Sequence, residues 1–356
     1  MKKLAAAILS LTLACSLTAC GNGQSDKDST ADAPISGETK TSGQMASTRD
    51  EYPKAGTVAN FYIGGSVGAG GDLNMRTLIR YMEPEMGITI VPQNVTGSRT
   101  IYNAVKNMVK EPADGYTFAY LLYPHCIAEL YNPATKDNMY GLDDYYTMCN
   151  LVTDSALIAV RADDPRFTEV NNLDELVKYM KSSGENLLIS ACSVAGDDDI
   201  TVHKLMLGVP EIADQLTIVN GDAVSDGITS LLGGTLDIFT GNVGDVGTLV
   251  TDGDMKVLSV FAPERSQFLP DVPTAVESGY DIINSTSRGV VIHKDTDPAV
   301  CRQIQDYIEQ AVENPDFLED MKTQGYEVDY KNPAEYRTWL QKEYDEFQKI
   351  KESYGW

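Results

Sequence analysis

From Val58 onward, short apolar runs alternate with stretches whose apolar residues recur every three to four positions. The runs at 58–63, 88–91, 117–122, 187–191, 216–219, 256–260 and 289–293 read as strands. The stretches at 72–86, 102–110, 174–181, 200–207 and 225–232 read as helices, the last stopped by Gly233-Gly234. Near the C-terminus, Val300, Ile304, Tyr307, Ile308, Ala311 and Val312 form one helical stripe. Tyr336, Trp339, Leu340, Glu343, Phe347 and Ile350 form a second, with one polar interruption at Glu343. Both stripes are core-packing faces. The alternation predicts an α/β class with mainly parallel sheets. No fixed-period internal repeat is present.

The N-terminus departs from this pattern. Met1-Lys2-Lys3 is followed by an apolar run from Leu4 to Leu17, too short to span a membrane and typical of a secretion leader. It ends in Leu17-Thr18-Ala19-Cys20-Gly21, which is similar to the bacterial lipobox, where cleavage precedes a cysteine that then carries lipid. Residues 1–19 are therefore expected to be a signal peptide and Cys20 a lipidation site, its two or three acyl chains enough for stable anchoring in a bilayer. Residues 22–50 hold few large apolar side chains. They cannot bury enough surface to order themselves, so 20–51 is expected to be a tether reaching roughly 30 Å as a coil.

At 356 residues the chain is long enough for two domains. Its 28 Lys and Arg stand against 52 Asp and Glu. Losing Lys2 and Lys3 with the leader deepens that imbalance. Nucleic acid is a poor partner for such a surface. Cys126, Cys149, Cys192 and Cys301 follow no metal or redox spacing and are expected to be buried free thiols. His125, His203 and His293 lie far apart. No nucleophile elbow, zincin motif or histidine-centred triad is found, so no catalytic residue, metal or cofactor is expected.

The densest candidate chemistry lies where strands give way to helices. Gly68-Ala69-Gly70-Gly71-Asp72 follows the first strand, after Gly64-Gly65-Ser66. Glycines let a ligand approach the backbone. The first N–H groups of a helix lack partners and, with the helix dipole, attract an anion. Asp72 is expected at the N-cap and Arg76, one turn on, as its ion-pair partner. Similar loops occur at Asn94–Ser98, Ser193–Asp197, Asn220–Asp222 and Thr240–Asp245. Ligands of open α/β sheets bind at the carboxyl ends of strands. Singly, each loop is better explained as an ordinary turn, which favours the same residues. The glycines depart from a dinucleotide fingerprint. Asp197-Asp198-Asp199 lacks the oxygen spacing of a calcium loop and is expected to be a solvated helix start.

Several motifs occur in order: Gly68–Arg76 as G-G-x-x-D-x-x-x-R, Asn94-Val95-Thr96-Gly97, Asp114-Gly115-Tyr116-Thr117, Leu232-Gly233-Gly234 before Asp237, and Arg265 with Leu269-Pro270-Asp271-Val272-Pro273-Thr274, Glu277 and Gly279. With them, from about Tyr52 to its end, the chain resembles the substrate-binding proteins of tripartite tricarboxylate transporters, the Bug or TctC-like receptors. The resemblance implies a two-lobed type II periplasmic-binding-protein fold with a central ligand cleft. Lobe I would take residues 52–155 and 275–356, and lobe II 156–274. It also implies a small carboxylate as ligand, large and small permease subunits as partners, and a monomer.

Carried onto this sequence, the ligand contacts are expected at Ser66, Ala69, Gly70, Gly71, Asp72, His125, Ser193, Ala195, Gly196, Gly221, Asp222 and Asp245. Tyr123-Pro124-His125, at a strand end, could also line the cleft. The second-lobe loop at Gly196–Asp199 aligns in two registers, only one of which uses His203. The aromatic that in the family usually precedes the last strand is replaced around Ser285-Thr286-Ser287-Arg288, a stretch that ends in Arg288. Arg288 could reach the cleft as a cation, but an exposed position is expected. The alternatives from other classes are a secreted α/β hydrolase and a ligand-sensing lipoprotein.

Overall fold

The computed structural model describes residues 52–131, 140–192, 194–221 and 223–354. The expected leader, tether and Cys20, together with Ser193 and Asp222, lie outside the described residues.

The first lobe opens with β1 (Val58–Gly64), α1 (Gly70–Met86), β2 (Thr89–Val95), α2 (Thr100–Val109), β3 (Thr117–Tyr123) and the short α3 (His125–Tyr131). Next comes β4 (Tyr145–Arg161), a strand of 17 residues. The second lobe adds α4 (Leu173–Ser183), β5 (Leu187–Cys192), α5 (Asp197–Gly208), β6 (Leu216–Gly221), α6 (Val224–Leu232), β7 (Phe239–Asn242), α7 (Val243–Thr251) and β8 (Met255–Val260). The chain returns through β9 (Ser285–His293), α8 (Pro298–Glu313), α9 (Pro315–Thr323), β10 (Val328–Lys331) and α10 (Pro333–Ile350).

β4 joins the lobes. Its first part, 145–155, pairs with β9, and its last part pairs with β7 and β8. Leu151, Val152, Leu157, Ile158 and Val160 are fully buried. A strand covered on both faces reads as a continuous apolar run without alternation, which is why periodicity did not reveal it. Among the strands of the described residues, β1–β2, β1–β3 and β5–β6 pair in parallel, with isolated parallel bridges at Ile189–Ile238 and Val260–Thr274. The pairings made by β4, and that of β3 with β9, are antiparallel. The expectation of mainly parallel sheets is therefore corrected. The sheet is mixed because the chain returns through β9 beside β3 and β4 rather than through another right-handed crossover.

One apolar cluster packs α1, α2, α8, α9 and α10 on the first sheet. The stripes foreseen on α8 and α10 lie inside it, with Ile304, Ile308, Tyr336, Leu340 and Phe347 buried. Two further clusters cover the faces of the second sheet, and Ala275, Tyr280 and Ile282 pack with one of them. Ala195 and Ile200, at the start of α5, pack into the first lobe's cluster instead. The lobes therefore touch at that helix start. Lys204 of α5 donates to the Ile283 carbonyl at 3.0 Å and lies 3.7 Å from Glu343 of α10. Glu343, the polar interruption in the α10 stripe, also accepts the Tyr123 hydroxyl at 2.6 Å.

Candidate functional site

Four strand-to-helix loops share one device. The third residue of each helix is an aspartate that reaches back to a loop N–H: Asp72 to Gly68 (2.8 Å), Asp199 to Ala195 (2.7 Å), Asp226 to Ala223 (3.1 Å) and Asp245 to Asn242 (2.8 Å). In α6 and α7 the residue held is the N-cap itself, the acidic half of a capping box; in α1 and α5 it is the residue before the N-cap. The expectation of Asp72 as N-cap is thereby corrected, because Ala69 holds that position. The other Asp72 oxygen accepts Arg76 Nε at 2.8 Å and Asn94 Nδ2 at 2.9 Å. Burial alone works against its charge, but these donors and the Gly68 amide outweigh it and lower its pKa. Arg76 also donates to Asn94 at 2.7 Å. The glycine motif and the Asn94 motif are thus one staple holding the β1–α1 loop to β2.

The downstream motifs are staples too. Asp237 accepts Arg166 at 2.6 Å and the Leu188 amide at 2.8 Å. Glu277 takes both Arg265 Nε and the Thr274 amide.

The glycines themselves meet aromatic rings. A Cβ at Gly71 would lie 2.8 Å from the Tyr120 ring, and one at Gly70 would collide with the Tyr326 hydroxyl, with Arg288 Nη1 3.5 Å away. Across the junction, a Cβ at Gly244 would sit 2.9 Å from Asp154 and 3.0 Å from the Tyr326 ring. Tyr326, from the α9–β10 connection, therefore lies between the N-termini of α1 and α7.

Arg288 occupies the same junction. Its guanidinium carbon is 4.2 Å from the Tyr326 ring centre. Nη1 donates to Asn74 at 3.0 Å, and Nη2 lies 3.7 Å from Asp154. With its side chain only 13% exposed, the expected outward placement is corrected: the antiparallel register of β9 beside β3 and β4 turns it in toward Tyr120 and Asp154. Asp154 accepts the Gly244 amide at 3.2 Å. Burial pushes its carboxyl up to about 7, against the pull of Arg288.

A second correction concerns the aspartates of α5. Asp198 and Asp199 are buried rather than solvated, because the start of α5 packs against the first lobe. Burial, and then Asp197 beside it, push the Asp198 carboxyl well above the usual carboxylate range. Asp245 is raised first by burial and next by Asp197. Asp197 also acts on Tyr120 and Asp154. Asp154, Asp197, Asp198 and Asp245, with Arg288, form one electrostatic group.

Of the residues expected to touch ligand, Gly70 lies beside Arg288, Gly71 lies against Tyr120, and Asp245 belongs to the acidic group. Ser66 and Ala69 are exposed on the β1–α1 loop, while Ala195 and Gly196 are buried at the α5 entry. Gly221 lines a cavity of about 140 Å³ with Ser190, Asp198 and Thr240. His125 instead borders a cavity of about 10 Å³ with Tyr102 and Cys126, against α2. Tyr123 is core, held by Glu343. Asn74, Tyr120, Asp154, Asp198 and Tyr326 were not foreseen. One signal was present, the polar Thr153-Asp154-Ser155 inside an otherwise apolar run. Cys126, Cys149, Cys192 and Cys301 are thiols outside any disulfide; Cys149 and Cys301 are buried, the other two half-buried.

Residues 75–355 match the model of the tripartite tricarboxylate transporter family receptor, TctC. The chain belongs to this family. A curated relative, the UPF0065 protein in the gbd 5' region of Cupriavidus necator, is 25% identical over 289 residues, which is 81% of this chain and 84% of that one. A TctC solute binding protein from Polaromonas, solved without ligand, matches with TM-score 0.73 at 17% identity, over 85% of this chain and 100% of that one. MatC from Rhodopseudomonas palustris, solved with bound malate, matches with TM-score 0.66 at 18% identity, over 82% and 98%. The two-lobed binding-protein fold of TctC receptors is therefore the fold of this chain. No helix among the described residues is long and apolar enough to cross a membrane.

Proposed function

We propose that this TctC receptor works on the outer face of the cell membrane, anchored by a lipid on Cys20, and closes over a small carboxylate that it hands to the large and small permease subunits. It acts as a monomer and leaves the ligand chemically unchanged. Lobe I takes residues 52–155 and the chain from β9 onward. Lobe II takes the segment between, including 275–284, because Ala275, Tyr280 and Ile282 pack with it.

The observation that carries this reading is Arg288 at the lobe junction, stacked on Tyr326 beside Gly70 at the start of α1. A guanidinium and the first amides of a helix are complementary to a carboxylate. The malate in MatC supports the same ligand class. The chain's formal charge of −24 repels anions only over about 8 Å at physiological salt, so local donors decide inside the cleft.

Mass spectrometry of the co-purified ligand and a thermal-shift screen of carboxylates test the proposal, since a bound ligand raises the melting temperature. Arg288→Met should weaken binding about 10- to 100-fold, the worth of one charge-assisted contact. A screen without any binder, or full affinity in that variant, refutes the reading. Recovery of the ligand unaltered after long incubation separates a receptor from a hydrolase. Palmitate labelling lost in Cys20→Ser tests the anchor.

A further inference from the structure

α9 ends in a turn that aims one side chain at the lobe junction. Gly325 takes a φ of +84°, and its N–H donates to the Lys322 carbonyl at 2.9 Å, while the N–H of Tyr326 donates to Met321 at 3.0 Å. This pair of bonds is a Schellman cap, which fixes the backbone of the residue after the glycine. Gln324, just before it, is fastened to α1: its Nε2 donates to the Thr77 hydroxyl at 2.8 Å, and its Oε1 accepts Asn74 Nδ2 at 3.3 Å. Tyr326 therefore stands on anchored backbone. Its ring fits because Gly70 and Gly244 have no side chain where it passes, and the Arg288 guanidinium lies against it.

Tyr326 also lines a cavity of about 340 Å³, framed by β4, the start of α7, the chain after β8 and the start of β10. That volume is within the range of small-molecule pockets. Neither Arg288 nor Gly70 nor Gly71 lines it, so Tyr326 stands between them and the cavity. Asp154, 3.7 Å from Arg288, also borders both. The cavity walls combine apolar Val243, Phe268 and Val328 with acidic Glu264, Glu327 and Asp329. Its cation, Arg265, is already held by Glu277 and the Pro270 carbonyl. Such a space suits an uncharged chain better than a second carboxylate.

We infer that Tyr326 sets the length of the ligand: its ring closes the side of Arg288 and α1 off from the cavity, so a short acid fits and the chain of a longer one finds no room. This rests on the carboxylate-receptor reading and narrows its ligand to compact, short-chain acids.

The test is isothermal titration of the mature chain with butyrate, hexanoate and octanoate, and with succinate and adipate. In the parent, affinity should not rise from butyrate to octanoate, and succinate should bind more tightly than adipate. Tyr326→Ala joins the two spaces, so hexanoate should then bind about tenfold more tightly than butyrate, the worth of two further buried methylenes. Tyr326→Leu should shift that ratio part-way, whereas Tyr326→Phe, which keeps the ring, should keep the parental ratio. A ring that only supported the fold would lower every affinity together and leave the ratio alone; circular dichroism checks folding, and the parent's own series decides without any variant. A parent that binds the longer acids at least as tightly as the shorter ones overturns the inference and leaves the receptor reading standing. An unchanged ratio in Tyr326→Ala, or an altered one in Tyr326→Phe, does the same. Failure of every carboxylate to bind overturns the two together.

Discussion

Replacing Asp154 by Asn should make the ligand-free protein more stable, and increasingly so as pH rises. Asp154 is 6% exposed, and burial moves its carboxyl from 3.8 up to about 7. For an acid whose folded pKa is raised, stability is greatest below the unfolded value and falls as pH climbs to the folded one. A tenfold change in acidity between the folded and unfolded chain is worth about 1.4 kcal/mol. The span from 3.8 to about 7 therefore corresponds to about 4 kcal/mol as an upper bound. Asparagine keeps the carbonyl that accepts the Gly244 amide but never ionises. Below pH 4 the two proteins should unfold alike. The variant should then gain progressively, reaching several kcal/mol by pH 8. Urea melts at pH 4, 5.5, 7 and 8 measure this directly, with the m-value checking that the unfolded state is unchanged. If the variant is no more stable than the parent at pH 8, then Arg288 neutralises Asp154 fully and the reasoning fails. A buried acid that destabilises the empty protein is common where charge is needed for function.

Other outcomes follow from the same packing. Gly71→Ala should cost about 1–3 kcal/mol through overpacking against buried Tyr120, whereas Gly68→Ala, with open space but φ of +84°, should cost about 1 kcal/mol; equal melting temperatures for Gly71→Ala and the parent refute the contact. Lys204→Met removes the cation facing buried Glu343 and should cost about 3 kcal/mol, with Glu343→Gln on the same chain recovering part of it; strict additivity in that double-mutant cycle denies the tie between the lobes. Asn94→Ala should loosen the β1–α1 loop, because Arg76 and Asp72 lose their shared partner, and faster amide exchange at Gly68 is the readout.

What the sequence disclosed and what it hid have separate physical causes. The helices of the second half announced themselves because each buries a single stripe, as Ile304 and Ile308 do on α8. β4 did not, since a strand covered on both sides leaves no alternation. The family motifs were legible because tight loops restrict residue choice, yet Asp72, Asn94, Asp237 and Glu277 turn out to hold the loops themselves. The side chains gathered at the lobe junction come from β3, β4, β9 and the α9–β10 connection, whose convergence depends on strand order. No local spacing encodes that, so Tyr120, Asp154 and Tyr326 were missed. The burial of Arg288 and Asp198 escaped notice for the same reason.

The long strand that joins the lobes also limits how the molecule can move. Its pairing with β9 slips between Thr147 and Cys149 and again between Asn150 and Val152, and its pairing with β8 slips between Ile158 and Ala159. Such irregularities let a ribbon flex and twist locally. They bracket Thr153-Asp154-Ser155, so the pivot of any rocking motion and the carboxyl that faces Arg288 fall in the same short segment. Opening the jaws must change the surroundings of that proton, and filling them with charge must change the angle at which they rest.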